Sequence, residues 1–271
     1  MKEFSCVRQM VFSHRAIICN LQNPQHIIMS VLDFFPVHEK QNLGKIPKDE
    51  FKSCVFGFDG MQNLPNKELN VPNDFPWALK PDDVTEIVGQ YIHKPFVSIL
   101  EVGTHIGTSA TKFANAIKHN PDSYVVCVDT WLSDVADYIL RKDGVKHNLT
   151  SGYNHTLFDR FIQNIQNNGL ENTVIPFRLP SIQAGQILYF YGIQFDIIYI
   201  DAAHEYLNVK MDLDLYWNLI ANDGFFFGND YNIDGVKRAV DEFVKTRGLT
   251  LYTIPTTLLD NCQQKMWIIN R

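Results

Sequence analysis

The chain has 271 residues, 45% of them hydrophobic, which suffices for one large core or for one domain with an accessory segment. Its net charge of −6, with no Lys/Arg block, argues against a nucleic-acid partner. Five scattered cysteines (Cys6, Cys19, Cys54, Cys127, Cys262), never in a C-x-x-C pair, exclude a zinc ribbon and a disulfide framework. No apolar run approaches the roughly 18–20 residues that cross a bilayer, and MKEFSCVRQMVFSHR is too broken by charge for a signal peptide. A cytoplasmic protein without a membrane partner is therefore expected, and the sequons at Asn148 and Asn154 read as chance matches.

In chain order, one or two short helices fall within 1–35. The Pro- and Asn-rich stretch from Val37 to Pro81 shows no sustained periodicity and reads as irregular. Residues 1–80 are thus an N-terminal extension; its aromatic residues (Phe34, Phe35, Phe56, Phe58, Phe75, Trp77) either form a lid or, the favoured reading, pack the extension onto the sheet. From Pro81 the pattern becomes regular, with a helix to about His93 that carries Asp82 and Asp83 in its first turn. Strands are predicted at 96–102, 124–129, 173–178, 195–200, 224–228, 249–254 and 265–269, with helices near 108–118, 131–142, 155–168, 181–191, 205–221 and 233–246. Short apolar strands alternating with helices imply an α/β, Rossmann-like domain over 81–271. It has a seven-stranded, mostly parallel sheet, helices on both faces and an antiparallel pair at the C-terminal edge.

Chemistry-bearing residues gather at predicted strand ends. The first strand runs into Glu101-Val-Gly103-Thr104-His-Ile-Gly107-Thr-Ser109 and directly into a helix. Gly103 suits a tight turn beneath a ligand, Gly107 lets the helix begin close to it, and the helix N–H groups with Ser109 suit a carboxylate. The second strand ends in Asp129-Thr130-Trp131. Asp129 either accepts a ribose's two hydroxyls or caps the next helix, and Trp131 either covers an adenine or packs in the core. The fourth strand ends in Asp201-Ala-Ala-His204-Glu-Tyr206 and the fifth in Gly228-Asn229-Asp230-Tyr231. Asp201, Asn229 and Asp230 either converge on a hard cation such as Mg²⁺ or serve as caps and turn formers.

Taken as a series, these segments together with GVKRAVDEF (235–243) resemble the class I S-adenosylmethionine-dependent methyltransferases over residues 81–271. The similarity is greatest to the methyltransferase domain 24 (cephalosporin-hydroxylase-like) group and more distant to the catechol and caffeoyl-CoA O-methyltransferases. The resemblance implies that Glu101, Gly103, Thr104, Gly107 and Ser109 contact the methionine part of S-adenosylmethionine, Asp129 its ribose, and Thr130, Trp131 and Ser181 its adenine, with Asp201 beside them. It also implies a divalent metal on Asp201, Asn229 and Asp230, and it places His204 where the catechol-type enzymes carry a lysine base. Close relatives read G-D-D-Y where this chain has Asn229, which removes one negative charge from the metal site.

The expected function is therefore O-methylation of a small-molecule or sugar hydroxyl, with His204 and Asp201 catalytic. A cation lowers the acceptor's pKa and His204 takes its proton; alternatively, His204 is a helix-mouth residue bonded to backbone. An NAD(P)-dependent oxidoreductase, a metal-dependent hydroxylase and an inactive cofactor-binding protein of the same fold are the rival readings. The acceptor and any homo-oligomeric state are left open.

Overall fold

The computed structural model describes residues 41–56, 79, 81–132, 150–151, 154–155, 157–257 and 263–270. The chain divides into two compact units, Met1–Lys40 and Gln41–Arg271, and every described residue belongs to the second. The helices expected within 1–35, the body of the 131–142 helix, Asn148 and the aromatic residues Phe34, Phe35, Phe58, Phe75 and Trp77 lie outside the described residues.

The sheet strands are β1 (Ser98–Val102), β2 (Tyr124–Asp129), β3 (Val174–Arg178), β4 (Phe195–Ile200), β5 (Ile220–Gly228), β6 (Thr250–Thr257) and β7 (Gln263–Asn270). The described helices are α1 (Lys48–Val55), α2 (Pro81–Gly89), α3 (Thr108–Ile117), α4 (Leu157–Asn167), α5 (Ser181–Tyr191), α6 (Tyr206–Tyr216) and α7 (Asp234–Arg247). A separate two-residue ladder joins Thr150–Ser151 to Asn154–His155. The seven-stranded sheet has the order β3-β2-β1-β4-β5-β7-β6. The pairs among β1 to β5 are parallel, whereas β7 is antiparallel to both β5 and β6, so the last two strands make the antiparallel edge expected of them. No helix among the described residues is long and apolar enough to cross a membrane.

Strand periodicity explains why both faces are covered. Leu100, Val102, Val126, Val128, Ile198 and Ile200 join residues of α1, α5, α6 and α7 in one core. The alternate positions Ile99, Val125, Cys127, Ile197 and Tyr199 join α2, α3 and α4 in the other. Each fully buried Leu, Ile or Phe contributes roughly 1.5–3 kcal/mol, and near-continuous apolar strands are the signature of a sheet covered on both sides. At the N-terminal ends of β1 and β4, the buried Asp196 carboxylate accepts the Ser98 N–H (3.0 Å) and hydroxyl (3.1 Å) and pairs with Lys94 (2.8 Å) and Lys45 (2.6 Å). A buried charge so fully partnered pins the register of the two central strands.

Three sequence expectations need correction. The stretch 37–81 is not irregular throughout, because α1 occupies Lys48–Val55. Its one fully buried residue, Phe51, packs on Tyr124 (5.3 Å between ring centroids) and Phe195 (6.2 Å), and a single anchor leaves no period to detect. The helix expected at 205–221 ends at Tyr216, and a 3₁₀ turn (Trp217–Leu219) leads into β5 at Ile220, four residues before the predicted start. The helix expected to reach His93 stops at Gly89.

On the α5–α6 side, Asp212 is buried, receives a hydrogen bond from Ser181 and has no partner for Oδ1 among the described residues. Burial pushes its carboxyl up to about 7. The folded chain thus keeps a proton that the unfolded chain sheds near pH 4. Stability from this group is fully present below that pH and falls as pH rises towards 7. Asp212→Asn is expected to flatten that decline in urea-unfolding curves, with a gain of up to ~4 kcal/mol at pH 8 and little change at pH 4.

Candidate functional site

The chain order places β4 on the opposite side of β1 from β2, so the strand order reverses between these two parallel strands. The helix after β1 covers one face and the helix after β4 the other, which opens a crevice beyond their carboxyl ends. The parallel ladder continues just past each strand: Gly103 N–H donates to Val128 O (2.9 Å), Asp201 N–H to Val102 O (2.8 Å) and Asn229 N–H to Ile200 O (3.2 Å). Register therefore aligns Cys127, Glu101, Tyr199 and Phe227 in one row across the sheet. Two residues further along, Asp129, Gly103, Asp201 and Asn229 form the next. Positions far apart in sequence thus meet at the rim because strand period and register both count in twos.

Gly103 is required where β1 and β4 part. Its φ is +89°, and a Cβ there would lie 2.1 Å from the Asp201 carbonyl oxygen. Glu101, buried below it, accepts the hydroxyls of Thr104 (3.0 Å) and Ser109. Burial drives its carboxyl well above the usual range, and the charges of Asp201 and Asp129 add to the effect. Asp129 accepts the His105 N–H (2.8 Å) on one oxygen and the Trp131 N–H (2.7 Å) on the other. It thereby ties the glycine loop to the end of β2, and burial raises its carboxyl despite those bonds. Gly107 (φ +83°) caps α3 with the Phe161 ring against its back, where a Cβ would stand 2.8 Å away.

The second half of the site comes from β4 and β5. Asp201 accepts the Tyr199 hydroxyl (2.7 Å), and burial, reinforced by the charge of Asp230, pushes its carboxyl up to about 7. His204 Nε2 stands 2.9 Å from Asp230 Oδ2. One potential ligand atom from each of Asp201, His204 and Asp230 lies within 4.8 Å of the others. Asp230 is held at φ +59°, a left-handed conformation tolerated by aspartate, with its carbonyl accepting the Ile233 N–H (2.8 Å). Asn229 is buried, and its carbonyl accepts Trp267 Nε1 (3.0 Å). Gly235 at the start of α7 closes on the His204 carbonyl, where a Cβ would lie 2.2 Å away.

Not every expected residue meets at this rim. Trp131 is fully buried, donates Nε1–H to the His105 carbonyl (2.7 Å) and packs on Phe158 (4.9 Å) and Phe161 (4.7 Å). Its ring is part of the core and presents no surface to a nucleobase, which corrects the adenine-cover reading. Thr130 accepts the Leu132 N–H (3.1 Å). Ser181 heads α5, with its carbonyl accepting the Tyr216 hydroxyl (2.6 Å). Sequence reading missed Tyr199, although its place two residues before Asp201 on an alternating strand was the available signal. It also missed Phe161, for which no local signal exists.

A methyltransferase domain family model matches residues 100–231. Among solved structures, the chain is similar to a putative O-methyltransferase from Klebsiella pneumoniae, with a TM-score of 0.51, 17% identity and coverage of 71% of this chain and 82% of that one. It is similar to the O-methyltransferase TomG from Streptomyces achromogenes, involved in tomaymycin synthesis and solved with SAM (TM-score 0.52, 13% identity, 71% and 82% covered). It is similar also to an O-methyltransferase from Bacillus cereus solved with SAH (0.50, 16%, 91% and 97%). At these identities the likeness is one of fold. No curated protein matches.

Gly103→Ala should cost about 3 kcal/mol or more, because a strained backbone and a clash with the Asp201 peptide coincide. Urea unfolding at fixed pH measures it, and a loss below about 1 kcal/mol would contradict the close approach of β1 and β4.

Proposed function

We propose that this chain is a class I S-adenosylmethionine-dependent methyltransferase that methylates a hydroxyl group on a small molecule or sugar, a reading supported by the methyltransferase domain model that matches residues 100–231. The observation that carries the reading is the meeting of the glycine loop with Asp201, His204 and Asp230 at one strand-end crevice.

The electrostatics of the crevice support a cationic cofactor. Glu101, Asp129 and Asp201 all titrate above the usual carboxylate range in the protein alone, and mutual repulsion contributes for Glu101 and Asp201. S-adenosylmethionine brings a sulfonium and an ammonium, and supplies an electrophilic methyl group. Glu101, with Thr104 and Ser109 already on its carboxylate, is placed for the amino-acid end. The N–H groups after Gly107 suit its carboxylate. Asp129 accepts a backbone N–H on each oxygen and retains lone-pair capacity for a ribose hydroxyl. Gly103, Gly107 and the Asp201 backbone border the same space, and Thr130 and Ser181 remain the adenine contacts of this reading.

The acceptor hydroxyl needs help to lose its proton. With Nε2–H donating to the Asp230 carboxylate, the His204 imidazole takes that proton and Asp230 steadies the resulting imidazolium. Asp201 and Asp230, with Asn229 beside them, also fit a divalent cation such as Mg²⁺. Two carboxylates and an imidazole lie within 4.8 Å, and the charge of Asp230 already disfavours ionisation of Asp201. A cation held there would lower the hydroxyl pKa and orient the acceptor. Tyr199 fixes the Asp201 carboxylate from below through its own hydroxyl.

Calorimetry with S-adenosylmethionine should give a single site whose affinity collapses in Glu101→Ala, and NAD should not bind. Once an acceptor screen finds a substrate, His204→Ala and Asp230→Ala should each lower kcat by about 10²-fold or more. Undiminished turnover in both would sink the catalytic assignment.

A further inference from the structure

The glycine loop is held peptide by peptide, mostly by groups that lie outside it. The His105 N–H is taken by Asp129 and the His105 carbonyl by Trp131 Nε1. The next peptide plane, between Ile106 and Gly107, is gripped at both ends: Gly107 N–H donates to Thr104 O (2.9 Å), and the Ile106 carbonyl accepts Asn164 Nδ2 (2.9 Å). Asn164 stands on α4, 58 residues away in sequence and 1% exposed, among Leu157, Phe161, Ile162 and Ile165. The amide orientation is settled by its partner, because a carbonyl oxygen only accepts.

A buried asparagine is a poor choice for packing alone. Its Oδ1 has no partner among the described residues, and leucine would fill the same volume without an orphaned polar atom. What asparagine adds is one N–H aimed at Ile106. The plane it grips is also one open to rotation, since Gly107 has no Cβ to exclude the alternative. The plane leads directly into Gly107, the cap of α3, with its N–H spent on Thr104 O, so holding it fixes how the loop enters the first turn of the helix.

We propose that Asn164 is a positioning residue for the cofactor: by holding the Ile106 carbonyl it selects the loop conformation that presents the start of α3 to the ligand. This rests on residues 103–109 being the S-adenosylmethionine loop. In Asn164→Leu the plane is released, and the cofactor must bind a loop that is only fractionally in the competent state.

The test is titration calorimetry of the full chain with S-adenosylmethionine, beside thermal unfolding. Asn164→Leu should weaken binding about tenfold, equivalent to about 1.4 kcal/mol, while Tm moves little. Asn164→Ser, too short to reach Ile106, should lose affinity similarly and serves if the leucine variant does not fold. Leu170→Ala, which removes buried volume just after α4, should lower Tm and leave affinity unchanged. Wild-type affinity in both Asn164 variants, or an equal affinity loss in Leu170→Ala, overturns the inference alone. Failure of the wild-type chain to take up S-adenosylmethionine overturns the cofactor reading and the inference with it.

Discussion

The backbones of β1 and β4 stay in contact at their exits without room for a side chain between them, and the shape of the crevice depends on that approach. Gly103 rests against the Asp201 peptide with no room for a methyl group between them. The parallel ladder carries on through this point, with Asp201 N–H bonded to Val102 and Gly103 N–H to Val128. The strands can stay paired to the rim only because the residue there has no side chain. The chains then diverge to opposite faces of the sheet and open a crevice bordered by acids from the ends of four strands.

Those acids define the chemistry. Glu101, Asp129, Asp201 and Asp230 occupy neighbouring strand ends, with the His204 ring against Asp230. Burial and mutual repulsion hold Glu101 and Asp201 protonated to higher pH than a free carboxyl. Crowded acids of this kind are relieved by positive charge, which a sulfonium, an ammonium or a divalent cation supplies. The raised carboxyls and the proposed preference for such a ligand share an electrostatic origin.

Around this rim the protein is built to hold orientation. Asp196 fixes β1 and β4 at their other ends, so the register that aligns the acids cannot slip. Trp131 and Asn164 seize carbonyls of the glycine loop from the core side, and Gly235 lets α7 close on the His204 loop. These contacts hold the backbones of the glycine loop and of the His204 loop in place.

Periodicity and strand-end punctuation carried the sequence a long way. Apolar runs alternating with helical stretches determined a parallel α/β sheet, and the acids and glycines placed just after those runs had to gather at one edge once the sheet was parallel. Family resemblance then assigned those positions to a cofactor and an acceptor. Tertiary structure decided what local patterns cannot encode. Trp131 became core, because its ring packs on phenylalanines of a helix that lies well along the chain. The segment 48–55 became a helix on the strength of one buried ring, Phe51. Asn164 and Phe161 acquired their places at the loop because α4 packs behind it. Whether a polar side chain is a ligand, a cap or a clamp depends on which distant backbone group it meets, and only the folded chain brings the two together.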